Sequence, residues 1–165
     1  MTGMPWYERY IGYPLLLLHD KLYKRTGGRI GHSFPGTPPM LILHTVGAKT
    51  GLQRANSLAY ARDGDDYLVV ASMAGEPKAP GWYHNLKANP SVEINVGARR
   101  IKATATPVTR DRAEYPRLWQ IVNDMKNNKD QYNKYQNRTT RPIPVVRLTP
   151  STTPAGGSGT TGRSA

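Results

Sequence analysis

The chain has 165 residues, no cysteine and a formal net charge of +12. Its length suits one domain with a full hydrophobic core. Without cysteine there is neither a disulfide scaffold nor a thiolate metal site, and His19, His32, His44 and His84 lack the close pairing of a histidine metal site. The excess of positive charge points to an anionic partner: nucleic acid, an acidic membrane surface, or a phosphorylated or carboxylated ligand.

In chain order, Ile11, Leu15, Leu18 and Leu22 recur at helical spacing and predict an amphipathic helix, with Lys21, Lys24, Arg25 and Arg29 at its end. The apolar run Leu15–Leu18 is far short of the roughly 20 residues a membrane span needs. Its flanking charges do not suit a secretory signal. The expected location is therefore the cytoplasm, with the helix packed on the domain and its basic end solvated, or, as the less favoured alternative, resting on the inner face of the plasma membrane. Gly27–Pro39, with four glycines and three prolines, reads as a loop.

Short strands follow. Met40–Thr45 is apolar and unbroken, Gln53–Arg62 alternates less cleanly, and Tyr67–Ala71 is a buried run, with Asp63-Gly64 as a tight turn before it. Pro80–Asn89 predicts a short helix between Pro80 and Pro90. Ser91–Val96 and Arg99–Val108 form a strand pair around Gly97-Ala98. Leu118, Trp119, Val122 and Met125 mark a helix starting near Pro116, Asn128–Asn137 a further short helix, and Ile143–Leu148 a closing strand. The pattern divides the chain into a helix and loop (1–38), a single α+β domain of antiparallel strands around a small barrel (39–150), and a disordered tail rich in Thr, Ser and Gly (151–165).

The chemistry concentrates between Thr45 and Pro90. In Gly47-Ala48-Lys49-Thr50-Gly51 two glycines allow positive φ and close approach, so backbone N–H groups can converge on an anion. Lys49 adds charge, Thr50 a hydroxyl and Arg54 a planar fork suited to phosphate or carboxylate. The turn leads to a strand, which excludes a P-loop; alone, it is also compatible with an ordinary hairpin. Asn56, Ser57 and Ser72 place polar groups near strand ends. Trp82, Asn85 and Asn89 fall within helical reach of one another, and an asparagine in mid-helix needs a bonding partner to justify it.

The motifs T-V-G-A-K-T-G-L-Q-R-A-N-S-L, D-G-D-D-Y-L-V-V-A-S and W-Y-H-N-L-K-A-N-P, in that order, closely resemble the deazaflavin (coenzyme F420)-dependent nitroreductase family. The resemblance spans roughly Pro39 to Pro150 and is nearly gap-free from Thr45 to Pro90. It implies a split β-barrel related to the flavin-binding split barrels, and an oxidoreductase carrying a hydride from reduced F420 to a quinone, an enone or a nitro-heterocycle. It further implies that Ala48, Lys49, Thr50 and Arg54 hold the phosphate or polyglutamate tail. Asn56, Ser57, Leu58, Val70, Ala71 and Ser72 would line the groove, with Gly81, Trp82 and Asn85 approaching from the short helix. Proton donation would fall to Ser72, Tyr132, Tyr135 or solvent.

Two departures stand out: Met73 occupies the place of a lysine in some relatives, for which Lys78 is the nearest substitute, and Gly81 replaces a larger residue. Expected partners are a small-molecule acceptor and no nucleic acid, in a monomer or weak homodimer. The rival readings are an FMN enzyme on the same barrel plan and a basic nucleic-acid-binding barrel with Tyr and Trp as stacking platforms.

Overall fold

The computed structural model describes residues 38–151. The expected N-terminal helix and the tail beyond Ser151 lie outside them. The described residues form seven strands, β1 (Met40–Val46), β2 (Gln53–Ala59), β3 (Ala61–Asp63), β4 (Asp66–Val70), β5 (Ser91–Val96), β6 (Arg99–Val108) and β7 (Val145–Pro150). Three helices accompany them: α1 (Gly81–Ala88), α2 (Tyr115–Asn123) and α3 (Gln131–Gln136).

The strands form one antiparallel sheet in the order β2-β1-β5-β6-β7-β4-β3. Its two edges, β2 and β3, are consecutive in sequence and separated only by Tyr60. The sheet must therefore curl until its edges meet at that residue, which makes the expected split barrel a consequence of connectivity. The run 53–62, read from sequence as one strand, is thus two: its first part pairs with β1 and its second with β4. Tyr60 has left both ladders, and its N–H donates to Pro39 O at 3.1 Å.

Alternation along the strands sorts side chains between two cores. Val69 and Leu148 belong to the barrel interior, whereas their neighbours Leu68 and Val70 join an outer cluster with Val145. Helix α1 adds Trp82, Tyr83 and Leu86 to the interior core, and α2 and α3 cover the outer cluster with Tyr115, Leu118, Val122 and Tyr132. Leu86 is fully buried, and truncating such a side chain costs about 2–5 kcal/mol.

Smaller departures from the sequence reading have local causes. Pro80 is the N-cap of α1 and not part of its first turn. The last strand begins at Val145 because Pro142 and Pro144 have no N–H for a ladder; Ile143 is buried before it, its N–H bound to Gln136 Oε1 at 2.9 Å. Met125 lies just past α2 and still packs on the outer core.

Burial of tyrosines gives the fold an alkaline limit. Burial pushes the Tyr115 hydroxyl up to about 12, and it donates to Ile143 O at 2.7 Å. It raises Tyr132, Tyr60 and Tyr83 as well, with the neighbouring tyrosines adding to the first two. These groups are neutral in both states below about pH 10, so their contribution is complete there. As pH rises past 10 the unfolded chain releases protons that the fold retains, and stability falls through the folded values. Melting temperature is expected to drop steeply above about pH 10, with tyrosinate absorbance of these residues appearing together with unfolding. Early ionisation in a still-folded protein would contradict this.

Candidate functional site

A groove crosses the N-terminal end of α1 in two lobes that share Asn56, Gly81 and Trp82. One lobe, about 640 Å³, lies between the β1–β2 turn, the start of β2 and α1, and is bordered by Gly47 to Thr50, Arg54, Ala55, His84 and Asn85. The other, about 560 Å³, lies between β2, the end of β4 and α3, with Leu58, Val70, Ser72, Met73, Tyr132 and Tyr135 among its walls. A Cβ added at Gly81 would meet nothing within 4 Å, so a larger residue would project into the open junction between the lobes.

The turn of the first lobe is built by close approach. Gly47 N–H donates to Leu52 O and Gly51 N–H to Gly47 O, both at 2.8 Å. Gly51 supplies the left-handed residue at φ 67, and at Gly47 a Cβ would sit 2.5 Å from Thr50 Oγ1, so that side chain would have to turn to admit one. Asn85 answers for its mid-helix position by bonding in two directions. Its Oδ1 accepts from Ala48 N–H at 3.0 Å and its Nδ2 donates to the buried Thr45 Oγ1 at 3.1 Å. Its main role is therefore to hold the turn to the helix while bordering the lobe. With Ala48 N–H so engaged, the N–H groups of Lys49 and Thr50 take no acceptor among the described residues. The Lys49 and Arg54 side chains, both exposed, form no salt bridge there either. Two open N–H groups beside two unpaired cations make a cradle for an anion.

No charged residue lines the second lobe, whose polar groups are hydroxyls and amides. Arg54, Asn56 and Leu58 register against Thr45, Leu43 and Leu41 and so share one face of β2. Ser57, out of that phase, has a buried hydroxyl with no partner among the described residues. Tyr132 is buried beneath the lobe, and burial, with Tyr135 adding to it, keeps its hydroxyl protonated far above neutrality. The hydroxyls of Tyr132 and Ser72 bond to no protein group among the described residues. Tyr135 is partly exposed and its hydroxyl accepts from Gln131 Nε2.

Of the residues singled out from sequence, the groove therefore gathers Ala48, Lys49, Thr50, Arg54, Asn56, Ser57, Leu58, Val70, Ser72, Gly81, Trp82, Asn85, Tyr132 and Tyr135. Ala71 packs in the barrel interior and Lys78 is exposed, and neither lines a lobe. Sequence reasoning passed over Asn128 and Gln131, which border the second lobe, and Gln136 and Arg141, which frame it. The signal for the last two was Arg141-Pro142-Ile143-Pro144: prolines beside a strand leave carbonyls that another donor must satisfy.

Comparison with known proteins identifies the family and supports the fold. The family model described as F420H(2)-dependent quinone reductase matches residues 15–150. An F420H(2)-dependent quinone reductase of Mycobacterium tuberculosis strain H37Rv is 62% identical over 144 residues, covering 87% of this chain and 95% of the relative. A solved F420-H2 dependent reductase shares 33% identity at a TM-score of 0.59, over 67% of this chain and 93% of its own. Another structure, described as a domain-swapped dimer, shares 29% identity at a TM-score of 0.60, over 82% of this chain and 98% of its own.

Removing the Asn85 amide should free the turn. Asn85→Ala loses two bonds and strands the buried Thr45 hydroxyl, at a cost of about 1–3 kcal/mol. Hydrogen exchange at the Ala48 amide is expected to accelerate well beyond that of its β-strand neighbours. Unchanged protection of Ala48 would show that the turn holds itself.

Proposed function

Because the chain belongs to the F420H(2)-dependent quinone reductase family, we propose that its two-lobed groove binds reduced F420 lengthwise and presents it to a quinone. The protein is an oxidoreductase that uses F420 for hydride transfer to quinones. The observation that carries the assignment of residues is the division of charge along the groove: two cations and open N–H groups, unpaired among the described residues, at one end, and a lobe without a charged residue at the other. F420 has the same polarity along its length, a flat ring followed by a ribityl chain, a phosphate and a polyglutamate tail.

In this reading Lys49, Arg54 and the N–H groups of Lys49 and Thr50 hold the phosphate or tail. Trp82, Asn56 and Gly81 lie at the junction, where the ring would meet the acceptor lobe. When bound, the reduced cofactor supplies a hydride, since carbon replaces the flavin nitrogen at position 5. A quinone taking up that hydride also needs one proton to become the hydroquinone. Tyr132 borders the acceptor lobe and its hydroxyl has no partner among the described residues, so it is placed to donate a hydrogen bond to the quinone oxygen, while burial raises its pKa and makes it a weak proton donor beside Ser72 or solvent. Ser72 is the second candidate donor, and Tyr135 belongs to the wall through its bond with Gln131. Enones and nitro-heterocycles would enter the same lobe as alternative acceptors. We assign this work to residues 39–150, acting as a monomer or weak homodimer.

No helix among the described residues is long and apolar enough to cross a membrane. A lipid-soluble quinone would still be met at a membrane face, and the net charge of +12 favours an acidic one. Co-sedimentation with acidic vesicles is expected for the full chain and is expected to weaken when the residues before Gly27 are removed; equal binding by both would refute a role for that segment.

The direct test mixes the protein with reduced F420 and a panel of quinones, enones and nitroimidazoles and follows return of the oxidised cofactor's absorbance. Turnover with quinones is expected, and none with any acceptor would overturn the proposal. A charge-assisted bond is worth roughly 1.5–3 kcal/mol. Arg54→Ala is therefore expected to weaken F420 binding by about tenfold or more, read by quenching of tryptophan fluorescence. Unchanged affinity would remove Arg54 from the site.

A further inference from the structure

We propose that Arg141 is the positioning residue that shapes the acceptor lobe, by holding the Ser72–Ala74 wall against the helix that carries Tyr132 and Tyr135. The inference rests on reading that lobe as the quinone pocket.

The reason lies in the end of a ladder. β4 and β7 pair as far as Val70 and Val145. One residue further, Ala71 N–H still donates to Pro144 O at 3.1 Å, but Pro144 has no N–H to return. The carbonyl of Ala71 is thus beyond the reach of the sheet, and that of Ser72, which accepts from Gly75 N–H at 3.0 Å, keeps one lone pair open. The Arg141 guanidinium takes the place of the missing strand donors. Its Nη1 donates to Ala71 O at 3.3 Å, and its Nη2 to Ser72 O and Glu76 O, each at 3.2 Å. No carboxylate forms a salt bridge with it among the described residues; its work is done on backbone.

Between those anchored carbonyls the chain runs through three left-handed residues, Met73 at φ 46, Ala74 at φ 55 and Gly75 at φ 84. Two of the three are not glycine, and such a conformation persists only where its surroundings impose it. Met73 and Ala74 line the lobe. Gly75 rests on α3: a Cβ there would sit 2.6 Å from Tyr135 O and 2.9 Å from Arg138 Cβ.

Arg141 is itself fixed from α3. Gln136 Nε2 donates to Arg141 O at 3.0 Å, and Arg141 N–H donates to Thr139 Oγ1 at 3.2 Å. Pro142 further restricts its backbone. The guanidinium therefore links the two walls of one lobe, the strained wall with Ser72 and the helix with the tyrosines. A lysine cannot replace it, because one ammonium cannot span three carbonyls in a planar fork. None of its bonds reaches the 47–51 turn or Arg54, so its loss is confined to the acceptor side.

The test compares wild type, Arg141→Lys and Arg141→Ala in steady-state turnover of reduced F420 with a water-soluble quinone, with cofactor affinity measured separately. Both variants are expected to keep wild-type F420 affinity. Both are expected to lose about tenfold to a hundredfold in kcat/KM for the quinone, the scale expected when a reacting pair is misplaced by about an ångström. Adding guanidinium ion at concentrations below those that unfold the protein is expected to restore part of the Arg141→Ala loss and none of the Arg141→Lys loss.

Wild-type quinone kinetics in either variant would overturn the proposal. So would an equal loss of cofactor binding and turnover without guanidinium rescue, since that is the signature of general destabilisation. If Arg141→Ala does not fold, the Arg141→Lys kinetics decide by the same criteria. Failure of the wild type to reduce any quinone would instead count against the reading of the lobe, and is seen before any variant is made.

Discussion

The cationic end of the groove depends on the side chain of Asn85. It sits in the middle of α1, a poor place for asparagine unless its amide is engaged, and it is engaged twice, with Ala48 N–H and Thr45 Oγ1. Those two bonds join three elements: β1, the turn after it and the helix. The same helix places Trp82, Tyr83 and Leu86 in the barrel core. The helix is therefore anchored by packing, and the turn is anchored to the helix. By occupying Ala48 N–H, Asn85 also leaves the next two N–H groups of the turn to face an anion.

The two ends of the groove are held by different physics. The anionic end is a hairpin turn stabilised by short backbone bonds, with Lys49 and Arg54 exposed and screened by solvent. The acceptor end is shaped by irregular chain. Met73 and Ala74 on one side, and Asn127, Lys129 and Asp130 on the other, all have positive φ. Each such residue costs about 1–3 kcal/mol, which the surrounding bonds must offset. Asn128 donates to Val122 O and Asn123 O, and Trp119 Nε1 to Asn133 Oδ1 at 2.7 Å. Arg141 and Gln136 complete that frame. The barrel gives the cationic lobe its regularity, and side-chain bonds to backbone give the other lobe a shape that strands cannot make.

How much of this could be read from residues follows the same division. β1, β5, β6 and α1 were legible because local pattern and turn chemistry agree there: Gly97-Ala98 does turn β5 into β6 in register. The cluster of Lys49, Thr50, Arg54, Trp82 and Asn85 was legible because three motifs stand close in sequence. The break at Tyr60 was not, since only closure of the sheet demands it. The bonding of Asn85 was legible as a need but not as a partner, because Thr45 lies 40 residues away. Arg141 was legible as a need and not as a set of partners: the prolines after it announce carbonyls that lack a donor, but those it serves lie 65 to 70 residues away. Local chemistry marks the cationic lobe proposed for the cofactor, whereas the lobe proposed for the acceptor arises from long-range contacts.

The orientation of F420 along the groove is the claim on which the rest turns. It is tested most directly by comparing the affinity of F420 with that of the same deazaflavin lacking phosphate and tail, in the wild type and in a Lys49→Ala, Arg54→Ala double variant. The double substitution is expected to weaken F420 binding by more than about tenfold and to leave binding of the shortened deazaflavin unchanged. An equal loss for both ligands would mean that the two cations do not face the anionic end, and would contradict this orientation.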